Sequence, residues 1–181
     1  MKGEKIKYVH SSFQFPFLKN ENFRYKLKEG GFFLDCAVYP ISLETFLFKN
    51  NSKIIENLNT NTKFKKNIPI NGIIKYDYLD QKRVFTWGTG LVYKNFLKIR
   101  LKDSTVFYKK IYTKIKNEKI KIVVKKNKKR QQIIFEYYDQ FELMFRYIFK
   151  NYKKNKIKSI FNRQILTHNE FLIKIFKEIK N

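Results

Sequence analysis

Arg24, Asp35 and Tyr39 are the side chains of this 181-residue chain whose types and spacing suit chemistry. They lie in RYKLKEGGFFLDCAVYPISLETFLF, residues 24–48, where the glycine pair Gly30 and Gly31 precedes an apolar run. If the glycines open a helix, Asp35 stands in its early turns and Tyr39 four residues on, so both side chains project from one face. A carboxylate and a phenol on a shared surface are residue types that move protons. An unperturbed phenol titrates at ~10 and serves as a base near neutrality only when positive charge favours its ionised form. For Asp35 the structural alternative is capping the helix, whose N-terminus favours negative charge. Arg24 suits an anionic part of a substrate or a brace for the loop, and bracing is the preferred reading.

Positioning these residues falls to strands before and after the helix. Lys5 to Phe15 alternates, with Tyr8 and His10 on one face and Val9, Ser11 and Phe13 on the other, and Pro16 stops it. His10 reads as a strand histidine rather than a ligand. From Gly31 to about Phe48, Leu34, Val38, Ile41 and Thr45 recur at helical spacing, and Pro40 predicts a kink just past Tyr39. Lys49 to Asn71 is polar and Asn-rich, which predicts a short strand inside a long loop. Strand patterns then follow at Gly72–Leu79, Arg83–Thr86, Leu91–Leu101, Thr105–Tyr112, Lys119–Val124 and Gln131–Phe135. Their alternation of apolar residues with Lys or Thr suits a sheet with one wet face, and the short connections favour antiparallel neighbours.

The basic cluster Lys125–Arg130 reads as a hairpin tip centred on Asn127, and Lys153–Lys158 as a solvated loop after a helix. Asp139, with Glu142 three residues on, is an N-cap signature for a helix striped by Phe141, Phe145, Ile148 and Phe149. Thr167 and Glu170 predict that the terminal helix opens there, with Phe171, Ile175 and Ile179 buried and His168 exposed at its first position. The fold class expected for residues 1–181 is α+β, one domain with a predominantly antiparallel open β-sheet and helices packed on one face.

A hydrophobic content of 43% and an aromatic content of 18% argue for a packed core and against disorder. The single cysteine, Cys36, excludes an internal disulfide, fits a reducing compartment and reads as a buried inert thiol. No apolar stretch approaches a membrane span, and the lysine-rich start is not a signal peptide, so no membrane partner is expected and a cytoplasmic location is. Two lone histidines, His10 and His168, do not make a metal site. Gly88-Thr89-Gly90 does not continue to a third glycine and leads into a strand, whereas a dinucleotide fingerprint must open a helix, so no cofactor-binding residue is assigned. The formal net charge of +25 raises nucleic acid as a partner. Yet the lysines are spread over nearly every segment and accompany Asn and Ile, the mixture of A+T-rich codon usage, so nucleic acid ranks low.

The segment Glu29-Gly30-Gly31-Phe32-Phe33-Leu34-Asp35-Cys36-Ala37-Val38-Tyr39 resembles the GGGxxxDxGxH pattern, with Tyr in the His position, of the glucose-fructose oxidoreductase, inositol dehydrogenase and MocA (Gfo/Idh/MocA) family. Gly3–Pro16 is similar to the strand entering that family's C-terminal domain, and Arg24-Tyr25 stands where an RY often precedes the glycines. Trp87–Ile99 is similar to its central strand and Asp139–Met144 to its late DQFxxM helix, so the likeness covers almost the whole chain. Glu29, Ala37, Leu101 and Ser104 depart from family glycines. The resemblance implies the dihydrodipicolinate-reductase-like C-terminal fold, with Tyr39 as the proton-transfer residue, Asp35 orienting substrate hydroxyls or a lysine, and Arg24 as a substrate contact. It also implies a separate Rossmann domain for NAD or NADP, and the chain starts where that half should have ended.

Three readings follow. The first is the substrate-side domain of an NAD(P)-dependent oxidoreductase acting on a sugar, sugar derivative or diol, its nucleotide-binding half supplied by another polypeptide. The second is a non-enzymatic remnant or interaction module that forms a homo-oligomer through the sheet. The third is a nucleic-acid binder using lysines and aromatics.

Overall fold

The computed structural model describes residues 5–19, 21–26, 31–48, 54–90, 92–113 and 118–180. Glu29, Gly30 and Leu91 lie outside the described residues. Eight strands form one open sheet: β1 (Ile6–Pro16), β2 (Ile55–Lys65), β3 (Ile68–Tyr78), β4 (Gln81–Gly90), β5 (Lys94–Leu101), β6 (Ser104–Lys109), β7 (Ile120–Lys126) and β8 (Lys129–Phe135). Their order is β2-β3-β4-β1-β5-β6-β7-β8, antiparallel throughout except where β1 lies parallel to β4. The helical run 31–47 contains α1 (Val38–Ser42), and α2 (Gln140–Asn151) and α3 (Asn155–Lys180) follow the sheet. This is the α+β open sheet with helices over one face.

Alternation along the strands decides which face the helices cover. Val9 and Phe13 of β1, Ile74 and Tyr76 of β3, and Phe85 and Trp87 of β4 are buried beneath Phe33, Cys36, Ala37 and Ile41 of the helical run. Phe171, Ile175 and Ile179 of α3 close the same core, Phe171 meeting the Tyr76 ring edge-on at 5.5 Å. The opposite face, carrying Tyr8, His10, Lys75, Lys82 and Lys98, stays wet.

Several boundaries differ from the sequence reading. The expected long loop over 49–71 is, among its described residues, mostly strand: β2 spans 11 residues and β3 begins at Ile68, while 49–53 lie outside the described residues. β2 is an edge strand whose Asn and Lys side chains face water, and its register shifts near Asn57, where φ is 51°. Such irregular, polar edges resist pairing with other chains and carry little apolar alternation to read. The terminal helix opens at Asn155, not Thr167, since no Gly or Pro interrupts the run. His168 therefore sits half-buried in mid-helix with its Nδ1 3.3 Å from Thr45 Oγ1. Lys156–Lys158 accordingly belong to α3 rather than to a loop. β6 stops at Lys109, because Lys110 takes a positive φ of 56°.

Other local signals hold. Asn127 and Lys128, both at positive φ, form the β7–β8 hairpin tip, and the Asp139 carboxylate accepts from the backbone N–H groups of Phe141 and Glu142. The apolar stripe of α2 is nonetheless exposed, Phe149 at 71%.

Burial lowers the pKa of both His10 and His168, and for His10 the nearby charges of Lys98 and Lys94 act in the same direction. The unfolded chain then binds more protons than the fold below the ordinary histidine value of ~6.5, so stability rises with pH through that range and falls as pH drops below it. Urea midpoints between pH 5 and 7.5 are expected to climb with pH. His10→Gln should flatten the climb, and an unchanged slope would show that His10 is not the sensor.

Candidate functional site

The helical run opens on Gly31, at φ 57°, a backbone conformation glycine adopts without strain. Pro40 donates no backbone hydrogen bond, and the chain widens into π-type turns at Phe33–Ala37 and Leu43–Leu47 on either side of α1. The predicted disturbance is thus a pair of wide turns flanking the proline, and Tyr39 stands between them.

Asp35 is not a free cap. Its Oδ2 accepts from Arg24 Nε at 2.6 Å, with both side chains largely buried. The Arg24 guanidinium lies over Phe23 at 4.4 Å and Phe15 at 5.2 Å, on a single 3-10 turn, Phe23–Tyr25, which the Asn22 side chain caps by accepting from Arg24 N–H. Arg24 therefore braces the loop against the helix, and the pair holds charge at the rim of the core.

Tyr39 is 40% exposed, its ring packed edge-on against Phe13 at 4.7 Å and tilted against Tyr112 at 5.6 Å. Tyr112 was not among the residues singled out from sequence, having been read as the end of a strand. Asn95 places it, accepting from Tyr112 N–H at 3.0 Å while its amide donates to Thr113 Oγ1 at 2.7 Å and Tyr93 Oη at 3.0 Å. A polar Asn at a buried position of a strand was the available signal. The Tyr112 hydroxyl is hydrogen-bonded to Ser11 Oγ, and burial pushes its phenol up, so Tyr112 stays protonated. Burial, then the Asp35 charge, likewise pushes the Cys36 thiol up, which leaves it an inert core residue.

The surface around Tyr39 is open. Leu34, Phe46 and Leu47 of the same helical run are also exposed. A cavity of about 690 Å³ over β5–β8 and a smaller one of about 390 Å³ beside Tyr25 and Lys65 are both lined by other residues. An exposed phenol such as Tyr39 is chemically able to exchange a proton with a bound hydroxyl. Gly88 and Gly90 lie within β4 rather than at a helix N-terminus, so they do not form a pyrophosphate cradle. Among the described residues no three His, Cys, Asp or Glu side chains cluster to hold a metal, and no helix is long and apolar enough to cross a membrane.

No protein-family model matches the sequence, and no curated protein is significantly similar to it. Solved structures are similar in fold. KijD10, a 3-ketoreductase from Actinomadura kijaniata, in a mutant form with TDP-benzene and NADP, superposes on 96% of this chain and 52% of its own at a TM-score of 0.77 and 15% identity. A second KijD10 mutant complex aligns over 80% of this chain and 45% of its own, with a TM-score of 0.72 and 19% identity. Aldose-aldose oxidoreductase from Caulobacter crescentus matches 71% of this chain and 39% of its own, at a TM-score of 0.59 and 9% identity. These are oxidoreductases of the Gfo/Idh/MocA type, and the chain has the fold of their C-terminal domain. It spans about half the length of the KijD10 structures.

Proposed function

We propose that this chain is the substrate-side domain of an NAD(P)-dependent oxidoreductase acting on a sugar, sugar derivative or diol, and that a nucleotide-binding half covers Tyr39. The observation that carries this reading is an exposed phenol four residues on from Asp35, itself held by Arg24, in a fold shared with half of an NADP-complexed ketoreductase. Tyr39 gives a proton to, or takes one from, the hydroxyl at the reacting carbon. Asp35, held by Arg24, orients neighbouring hydroxyls. The residues of this chain do not fit a dinucleotide, so NAD or NADP would be held by the other half. The single buried thiol suits a cytoplasmic location.

The test is reduction of NAD or NADP, followed by nicotinamide fluorescence with a panel of sugars, by the chain alone and by the complex it captures from its own cell lysate. The captured complex is expected to turn over, and Tyr39→Phe to slow it by about a hundredfold or more, the scale of a lost proton-transfer residue. Equal rates with Tyr39→Phe would overturn the reading. A second reading, an interaction module without chemistry, is favoured by the exposed stripe of α2, where Phe141, Phe145, Ile148 and Phe149 form an apolar face. It expects no activity in any arm and self-association that polar replacement of Phe145 and Phe149 abolishes.

A further inference from the structure

We infer that the wet face of β5–β8 is a binding site for single-stranded nucleic acid. Four observations converge on it. The strand register puts Lys98, Arg100, Lys109, Lys121, Lys125 and Arg130 on one face of four adjacent strands. These strands contain no carboxylate, and among the described residues Lys98, Lys109, Lys121, Lys125 and Arg130 form no ion pair. The face is concave, and Lys98, Phe107, Lys121 and Arg130 line the cavity of about 690 Å³, where the one carboxylate, Glu118, is paired with Lys110. Finally, an aromatic row crosses three strands on the same face. Tyr8 lies 6.3 Å from His10, His10 5.0 Å from Phe96, and Phe96 5.6 Å from Phe107, which opens into the cavity.

Cations that track a backbone beside rings that accept bases are what single-strand recognition on a sheet requires, since extended strands offer unstacked bases together with closely spaced phosphates. The same charge argues against a second copy on this face. Two such faces would oppose cation to cation with no carboxylate between them on β5–β8, and the formal net charge of each chain is +25. Beneath α3, by contrast, the aromatics are buried in the core.

Fluorescence anisotropy with labelled 20-mers of dT and of U, the corresponding duplexes, and polyglutamate as competitor tests the assignment on the full chain. Both single strands are expected to bind saturably at ~0.1 M salt, at least tenfold tighter than duplex, with a log–log salt slope of about −3 if roughly four phosphates are neutralised. Lys121→Glu with Arg130→Glu should weaken binding at least tenfold and flatten the slope. Lys158→Glu with Lys177→Glu on α3, which changes the net charge equally, should change affinity less than twofold. Phe107→Ala should weaken binding about fivefold with the slope unchanged, circular dichroism confirming its fold. Equal weakening by the α3 pair, equal affinity for duplex, equal competition by polyglutamate, or a dimer in sedimentation that Lys121→Glu alters would each overturn the proposal.

Discussion

Replacing Arg83 by Met is expected to cost the fold about 3–5 kcal/mol, a large share of the ~5–15 kcal/mol that holds a domain of this size together. Arg83 lies in β4 on the helix side of the sheet, 1% exposed, and its Nη1 stands 3.6 Å from Oε1 of the fully buried Glu44 in the helical run. Its guanidinium also lies over Phe48 at 4.6 Å and donates through Nη2 to Gln81 Oε1. Methionine preserves much of the apolar contact of the stem but takes from the buried Glu44 carboxylate the Arg83 charge that helps offset its desolvation. Replacing both, Arg83→Met with Glu44→Leu, should recover most of the loss, because an apolar pair of similar volume leaves no charge to solvate. Urea unfolding of the single and double variants reads this directly. A single variant within 1 kcal/mol of the parent, or a double variant less stable than the single, would show that the pair does not couple helix to sheet.

That ion pair also marks where sequence reasoning stops. Alternation in β1 was legible because Val9, Ser11 and Phe13 must face a core while Tyr8 and His10 need not. The helical run was legible because its apolar residues recur every three or four positions. The slot of β1 between β4 and β5 was not, since local signals report which segments are strands but not which strand separates two consecutive ones. Nothing local in the sequence ties Glu44 to Arg83, and only the packing of the helical run onto β4 makes them partners. At the candidate site, bracing by Arg24 agrees with its bond to Asp35, whereas the wide turns on either side of α1 could not be read from helical spacing. Tyr112 escaped because Thr105–Tyr112 alternates like one strand, whereas Lys110 bends the chain and Asn95 captures its end.

Gly88→Ala is expected to prevent folding, or to destabilise the chain by more than about 4 kcal/mol, while Gly90→Ala two residues on should cost less than about 1 kcal/mol. A Cβ at Gly88 would stand 2.2 Å from the Ile70 carbonyl oxygen and 2.5 Å from Asn71 Cα, and φ there is 101°, a region side chains rarely enter. The clash is with backbone, and β4 is held between β3 and β1, so neither neighbour can retreat without breaking its own ladder. At Gly90 a Cβ would meet nothing within 4 Å. The Gly88 backbone also engages the Cys36 thiol of the helical run. Far-UV circular dichroism and urea midpoints of the two variants decide the matter. If Gly88→Ala folds within 1 kcal/mol of the parent, the close approach is dispensable. If it fails while Gly90→Ala folds, the glycine exists to let β3 pass close against β4 rather than to cradle a phosphate.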